Sequence, residues 1–561
     1  MILQFIYEPA QWAGSFLLFG IDILPFRYYT PINSSFRDVI SVTNIEKLIL
    51  PMSEEFRDYL HDETKTRGHA DTISFPTSEK EVRALLRHHS VRGEKVTLQG
   101  NRTGLTVACV PSGGHVMSLE RMNRVLGMRI KDGTVFLRVQ PGLSLGVLRQ
   151  MIASGEFVSE AWDDESMKAY AIFRKMPKQY FPPDPTETSA SLGGMAACNS
   201  SGAKTYRYGA TRPYINALRI VLADGDVITL RRGEVFAEGR SFRLVTEGGR
   251  EICGQLPDYE MPGCKNASGY YAADNMDMVD LFVGSDGTLG VMTELELRLI
   301  EMPRVIWGIN CFFRRESAAL DFVETVRGKS DSLAAIEYFD CNALDILRAY
   351  DDGGCPVPEG YECMIYVEVH APDAGRAMDA IRLVGATMDS VGESCANTWA
   401  ARSLPDRERL LELRHKVPES VNALIARRKR EDSAIAKVGS DMAVPDAHLR
   451  DVFAMYRRSL AEKGFQFAIW GHIGNNHVHV NVLPRCRDDM TAGKAMFMDW
   501  AREVVAMGGT VSAEHGTGKN KAAFLPILYG EEGVREMAAV KRCFDPGCIL
   551  GAGNLFPEEY V

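Results

Sequence analysis

Residues 181–209 read FPPDPTETSASLGGMAACNSSGAKTYRYG, a stretch dense in Gly, Ser, Asn and Pro. It is too long to be idle in a compact domain and marks a candidate functional loop. The segments around it alternate short apolar strands with helical runs. TISFP (72–76) ends a strand at a proline, and SEKEVRALLRHHS (78–90) has Ser78 as an N-cap with acids in the first turn. KVTLQG (95–100) runs a strand into a glycine, and 116–130 and 134–152 predict further strand–turn–helix units. INALRIVLADGDVITLRRG (215–233) predicts two strands joined at Asp224-Gly225. Such alternation specifies an α/β or α+β fold. Residues 153–182 read as an insertion.

A chain of 561 residues is too long for one ordinary core. The proline ending LFVGSDGTLGVMTELELRLIEMP (281–303) marks a boundary. Beyond it, VIWGINCFF and MIYVEVH alternate with ESAALDFVETVRG and DAGRAMDAIRLVGATM. That pattern predicts an antiparallel sheet with helices on one face. The expected division is an extension over 1–51, domains over 52–303 and 304–505, and a C-terminal segment over 506–561.

The formal net charge is -10, and the densest basic stretch, ARRKREDSA (426–434), carries its own acids. A nucleic-acid partner is therefore not expected, since displacing phosphate counterions takes clustered cations. The twelve cysteines include no CxxC pair, which argues against an iron–sulfur cluster or zinc ribbon and fits a reducing compartment. In the first thirty residues Glu8, Pro9 and Asp22 interrupt the apolar run, and no basic leader precedes it. The run makes a poor signal peptide or spanning helix. A surface anchor, a partner-binding arm or an extension outside the working fold remain as readings.

QGNRTGL (99–105), SASLGGMAACNSSG (189–202) and VGSDGTLGVMTE (283–294) are three glycine-rich turns. Glycines let backbone N–H groups converge on an anion such as a diphosphate. None of the three fits GxGxxG or GxxxxGK[ST].

In order and spacing, QGNRTGLT, DPTETSASLGGMAACNSSGAKTYRYGATRPYINALRIVLADGDV and GSDGTLGVMTELELRLIEMP resemble the FAD-binding domain of vanillyl-alcohol-oxidase-type flavoproteins. GHIGNNHVHVNV, AEHGTGKNK and FDPGCILGAGNLFP resemble that family's FAD-linked 2-hydroxyacid dehydrogenases, which act on D-lactate, glycolate or D-2-hydroxyglutarate. The resemblance spans roughly residues 52 to 561. It implies an α+β fold: a two-subdomain FAD-binding domain plus a cap domain with antiparallel sheet and flanking helices. The diphosphate would lie along Gly100, Asn101, Arg102, Thr103 and Gly104. Thr188, Ser191, Gly194, Asn199 and Ser201 would flank the flavin, and Val291 would reach the adenine side. GNRTG lacks the histidine to which some relatives attach FAD, so the cofactor is expected to be non-covalent. Relatives show Asn-Pro-Gly where this chain has Gly551-Ala552-Gly553, which leaves that flavin contact open.

Three of the twelve histidines fall in GHIGNNHVHVNV (471–482). Side chains two apart on a strand share a face, so His477, His479 and Asn481 would project together, with His472 returned toward His479 by the GNN turn. Two imidazoles do not make a catalytic zinc site, and Glu514 in SAEHGTGKNK is a candidate third ligand. The family motif selects the same set, His472, His479 and Glu514, and leaves His477 free. Zinc is the expected metal, although two histidines and a glutamate also admit Mn²⁺ or Fe²⁺. His515 would act as base, and Arg414 would grip the substrate carboxylate. Asn481 would hydrogen-bond substrate. Lys437, Lys265 and Tyr270 are weaker candidates.

Pro418 stands where the hydroxyglutarate branch has a hydroxyl residue, which tilts the expected substrate toward D-lactate. Electrons would pass to an external quinone, cytochrome or electron-transfer flavoprotein. A homodimer in the cytoplasm, with peripheral contact at the inner face of a membrane, is expected. Two other readings stand: a non-redox, ether-lipid-forming synthase of the same fold, disfavoured because such relatives carry a run of histidines before the glycines, and a non-catalytic flavin-binding subunit.

Overall fold

The computed structural model describes residues 45–350 and 358–560. Most of the expected N-terminal extension lies outside these residues. Its last part, Leu50–Pro51, already pairs antiparallel with Thr72–Ser74. That strand and Val96–Gln99 flank His115–Ser118 in parallel, completing a four-stranded sheet. The helix Glu79–Arg92 covers it: the Ser78 hydroxyl accepts from the Glu81 N–H, and Gly93 (φ 61°) closes the C-terminus.

A five-stranded antiparallel sheet follows, ordered Val125–Lys131, Thr134–Val139, Val291–Arg298, Ile215–Val221, Val227–Arg231. Residues 116–130 are thus strand–turn–strand, not strand–turn–helix. Asp132 (φ 50°) and Gly133 (φ 76°) form the two-residue turn that throws the chain straight into a hairpin. Residues 153–182 are more than an insertion. Asp163 caps the helix Asp164–Phe173, and Trp162 and Phe173 enter the same core as Val125 and Met128. Met537, Val540 and Phe544 of the helix Leu525–Phe544 enter that core too, and Ile549 and Leu550 pack with Leu85, Val96 and Val291. The chain's end is therefore built into its first half.

The third sheet has seven strands, in the order Thr398–Ala401, Val305–Phe313, Cys363–Ala371, Leu333–Asp340, Phe467–His472, His477–Val482, Val438–Gly439. Every pairing in it is antiparallel. Helices cover both faces rather than one. Cys311, Ile365 and Val367 pack with Phe322, Val384 and Trp500 on one side, and Phe312, Met364 and Tyr366 pack with Leu410, Val417 and Val421 on the other. These strands are apolar at successive positions, and a two-residue side-chain period then buries both faces.

Candidate active site

The strands Phe467–His472 and His477–Val482 form a hairpin whose turn is closed by Asn476 in the left-handed region (φ 50°). The register sets His472 opposite His477 and Trp470 opposite His479. Glu514 comes in from a loop after the helix Arg487–Ala506. One carboxylate oxygen lies 3.2 Å from His472 Nε2 and the other 3.2 Å from His479 Nε2. The outer ring nitrogens are taken by acceptors: His472 Nδ1 meets Glu337 Oε1 at 2.6 Å, and His479 Nδ1 meets the Ser440 carbonyl at 3.1 Å. An acceptor at Nδ1 places the proton there in a neutral ring, so both Nε2 lone pairs face Glu514. Ligands of one tetrahedral ion at bond lengths of about 2.0–2.2 Å stand roughly 3.3 Å apart. The three groups therefore fit a divalent cation, and their outer hydrogen bonds are those that commonly orient metal-binding histidines.

Further charged groups surround the trio. Lys265, almost fully buried, donates to Glu514 Oε2 (2.5 Å) and approaches His477 Nδ1 (3.0 Å). Burial pushes the Glu514 carboxyl up, but Lys265, His472 and His477 outweigh it and hold it well below the usual carboxylate range. Burial and Lys265 keep His477 well below an ordinary histidine. His477 Nε2 lies 2.9 Å from Asp441 Oδ1, so this histidine is built into the site although the motif leaves it free. Asp441 also accepts from the backbone N–H of His515 (3.1 Å) and the Ser512 hydroxyl (2.8 Å), pairs with Lys521, and stands 3.3 Å from His515 Nδ1. The His515 ring stacks on His479 with centroids 5.3 Å apart, its Nε2 3.4 Å from Glu514.

Arg414 projects from the helix Leu404–Glu431, whose buried stripe includes Leu410, Leu413 and Val417. Its Nε lies 3.3 Å from Glu337 Oε2, which brings it to the histidines through one shared carboxylate. Asn481 is buried, and its amide donates to the His479 carbonyl of its own strand (3.1 Å). Lys437 is exposed, its ammonium 6.0 Å from the Trp470 ring centroid. Tyr270 is fully buried, with its hydroxyl 2.6 Å from Thr288 Oγ1. Sequence reasoning missed Glu337 and Asp441 as site residues. The available signals were an acid inside the apolar strand LAAIEYFD and an Asp in KVGSDMAVP.

The glycine turns converge beside this site. A Cβ on Gly100 would lie 2.0 Å from Ser191 Oγ, and the Asn101 amide donates to the Ser189 carbonyl (2.5 Å). Arg102 takes a left-handed backbone (φ 57°), with its guanidinium 4.2 Å from the Tyr59 ring centroid, and Thr103 and Gly104 complete the turn. The Thr188 carbonyl accepts from Gly146, and Ser191 caps the short helix Leu192–Ala197 by accepting from Gly194. Asn199 (φ 48°) accepts from the Arg212 N–H (2.9 Å). The buried Ser201 hydroxyl finds no hydrogen-bond partner among the described residues. Val291 begins its strand next to the 283–290 turn with its side chain wholly buried in a hydrophobic cluster, a packing position. The Asn554 amide, just after Gly551 (φ 58°) and Gly553 (φ 80°), donates to the carbonyls of Ala108 and Asp286. Gly516, two residues past Glu514, sits against Cys198 and Asp286. Close backbone approach at Gly100, strained left-handed residues and an orphaned hydroxyl fit an elongated anionic cofactor lying across these turns.

Residues 70–161 and 171–231 match the FAD binding domain family, and residues 302–555 match the FAD linked oxidases, C-terminal domain. These two domains define an FAD-linked oxidoreductase. The chain thus carries both domains of FAD-linked oxidases, and relatives named as 2-hydroxyacid oxidising enzymes match it over most of its length. It is 25% identical to "Glycolate oxidase subunit GlcD" of Bacillus subtilis (strain 168), covering 89% of this chain and 92% of the relative. It is 26% identical to "D-2-hydroxyglutarate dehydrogenase" of Stutzerimonas stutzeri (strain A1501), with 91% and 96% covered. It is 27% identical to "D-lactate dehydrogenase" of Anaerostipes hadrus, with 91% and 94% covered. Among solved structures, 4-ethylphenol oxidase from Gulosibacter chungangensis superposes with a TM-score of 0.62 at 15% identity, over 91% of this chain and 95% of that one. The architecture is the vanillyl-alcohol-oxidase type. Among the described residues no helix is long and apolar enough to cross a membrane.

Proposed function

We propose that this protein oxidises a D-2-hydroxyacid, lactate-like rather than hydroxyglutarate-like, to the 2-oxoacid, using non-covalent FAD and a divalent metal, zinc foremost. The observation that carries this reading is the convergence of His472 Nε2, His479 Nε2 and the Glu514 carboxylate, with Arg414 tied to the same cluster through Glu337. FAD, when bound across the glycine turns, supplies the electron-pair acceptor. A cation bound by His472, His479 and Glu514 supplies a Lewis acid that lowers the pKa of the substrate hydroxyl.

The remaining work falls to the chain's own groups. Arg414 offers a planar guanidinium to the substrate carboxylate, a pairing that a point charge does not reproduce. His515, with Nδ1 facing Asp441, keeps a lone pair on Nε2 and takes the hydroxyl proton as hydride leaves the adjacent carbon. Asp441 holds that tautomer and stabilises the imidazolium that forms. The near-complete burial of Glu337, His472 and Glu514 keeps bulk water from competing for these contacts. Pro418, one turn beyond Arg414 on the helix, carries no hydroxyl for a second substrate carboxylate, which supports a short substrate. Reduced flavin then passes electrons to an external quinone, cytochrome or electron-transfer flavoprotein.

The test is an anaerobic flavin titration with D- and L-lactate, glycolate and D-2-hydroxyglutarate, before and after chelation. Bleaching by one D-acid, lost on chelation and restored by zinc, is the expected result. A bound flavin that none of these acids reduces, with zinc present, would refute the reading and favour a non-redox role.

A further inference from the structure

Glu337 lies on the strand Leu333–Asp340, every residue of which is buried. Its side chain is 2% exposed, and its two oxygens go to different functional groups: Oε1 to His472 Nδ1 at 2.6 Å, Oε2 to Arg414 Nε at 3.3 Å. A carboxylate facing an imidazole on one oxygen and a guanidinium on the other is a buried ion pair. A buried ion pair contributes little net stability, and a hydrophobic residue of similar volume usually serves the fold as well or better. Stability alone therefore gives poor reason for an acid at this position in the sheet.

The geometry supplies another reason. The strand holds Glu337 opposite Tyr366 on one side and within hydrogen-bond reach of His472 on the other. Its backbone is thus fixed by sheet pairing rather than by a loop. A carboxylate can serve two partners at once, and here they are the ring Nδ1–H of a proposed metal ligand, which donates to Oε1, and the guanidinium of the proposed substrate arginine, ion-paired with Oε2.

We propose that Glu337 is a positioning residue that joins His472 and Arg414 into one unit and so fixes the spacing between the metal and the substrate's carboxylate. This rests on the metal-dependent reading given above. A substrate chelated at one end and gripped at the other is aligned only if that spacing is constant, because small misplacements at a reacting centre cost large factors in rate. Through this link, metal binding and substrate binding favour each other.

The test uses the full-length, FAD-loaded chain and the substitution Glu337→Gln. An amide has one acceptor oxygen, so its NH₂ must face either His472 or Arg414, both donors, and one link breaks whichever way it turns. Zn²⁺ affinity is measured without substrate, by competition with a chelating dye. KM and kcat are measured separately with the acid that reduces wild-type flavin. E337Q is expected to weaken Zn²⁺ binding about 10- to 100-fold and raise KM by a comparable factor, at unchanged FAD content. E337D keeps the charge and both acceptors on a shorter stem, and should recover part of both. Wild type that takes up no Zn²⁺ overturns the metal reading, and this proposal with it. Normal Zn²⁺ uptake by wild type, with E337Q within threefold of it in both affinity and KM, overturns the proposal alone. So does a change in only one of the two quantities. A purely structural role would appear as lost FAD and a lower melting temperature with Zn²⁺ affinity unchanged, and that too would overturn it.

Discussion

Replacing Asp441 by Asn changes one charge at nearly constant volume, at a residue that is 3% exposed. In the proposed reaction His515 becomes an imidazolium, and the Asp441 carboxylate stands 3.3 Å from its Nδ1. At an effective dielectric near 20, unit charges at that separation attract by about 5 kcal/mol. At about 1.4 kcal/mol per factor of ten, losing that attraction slows proton transfer between 10³- and 10⁴-fold. An amide adds a second fault. If its NH₂ faces His515, Nδ1 must accept, and the ring proton moves to Nε2, where the base is needed. Burial raises the Asp441 pKa, but His515, Lys521 and His477 hold it well below the usual carboxylate range. The wild-type carboxylate is therefore held as the anion, and the defect should not vanish as pH rises. The assay is anaerobic stopped-flow reduction of bound flavin, with FAD and metal content measured alongside, since Asp441 also accepts from the Glu514 and His515 backbone. A D441N protein that keeps both cofactors and reduces flavin within tenfold of wild type would refute the role given to Asp441.

Glu514→Gln should weaken metal binding by more than about 100-fold, since loss of even an outer-shell partner commonly costs 10- to 100-fold. Added zinc should not restore flavin reduction, and metal analysis with a zinc titration checks both points. Gly100→Ala puts a methyl 2.0 Å from Ser191 Oγ and should sharply lower bound FAD, read from the flavin-to-protein absorbance ratio; full occupancy would show that the turn gives way. Asp286 is buried, and burial lifts its carboxyl to about 6, although the Thr517 and Gly518 N–H groups pull the other way. The folded-state pKa is then above the unfolded one. The folded chain binds this proton more tightly, and stability should fall by about 3 kcal/mol as pH rises from about 4 to 6, then level off. Asp286→Asn should flatten that decline in the melting temperature of the FAD-free protein, and an unchanged slope would mean that another group causes it.

Sequence legibility followed locality. The Ser78 cap, the Asp224-Gly225 hairpin, the glycine turns and the His472/His479 pair are set by spacings of a few residues, and the structure shows each as an ordered local feature. The second half of 116–130, expected as a helix, is instead the strand Val125–Lys131, because a two-residue turn pairs it with Thr134–Val139. What the chain alone determined was therefore which segments become strands, helices and turns, and which of them carry ligand-type side chains. Only the tertiary structure decided which charges meet. Glu337 lies 135 residues from His472, and Lys265 lies 249 from Glu514 and 212 from His477. No periodicity encodes separations of that size. They arise when sheets pair and buried faces pack, and a buried carboxylate or ammonium is stable only where that packing brings it a partner.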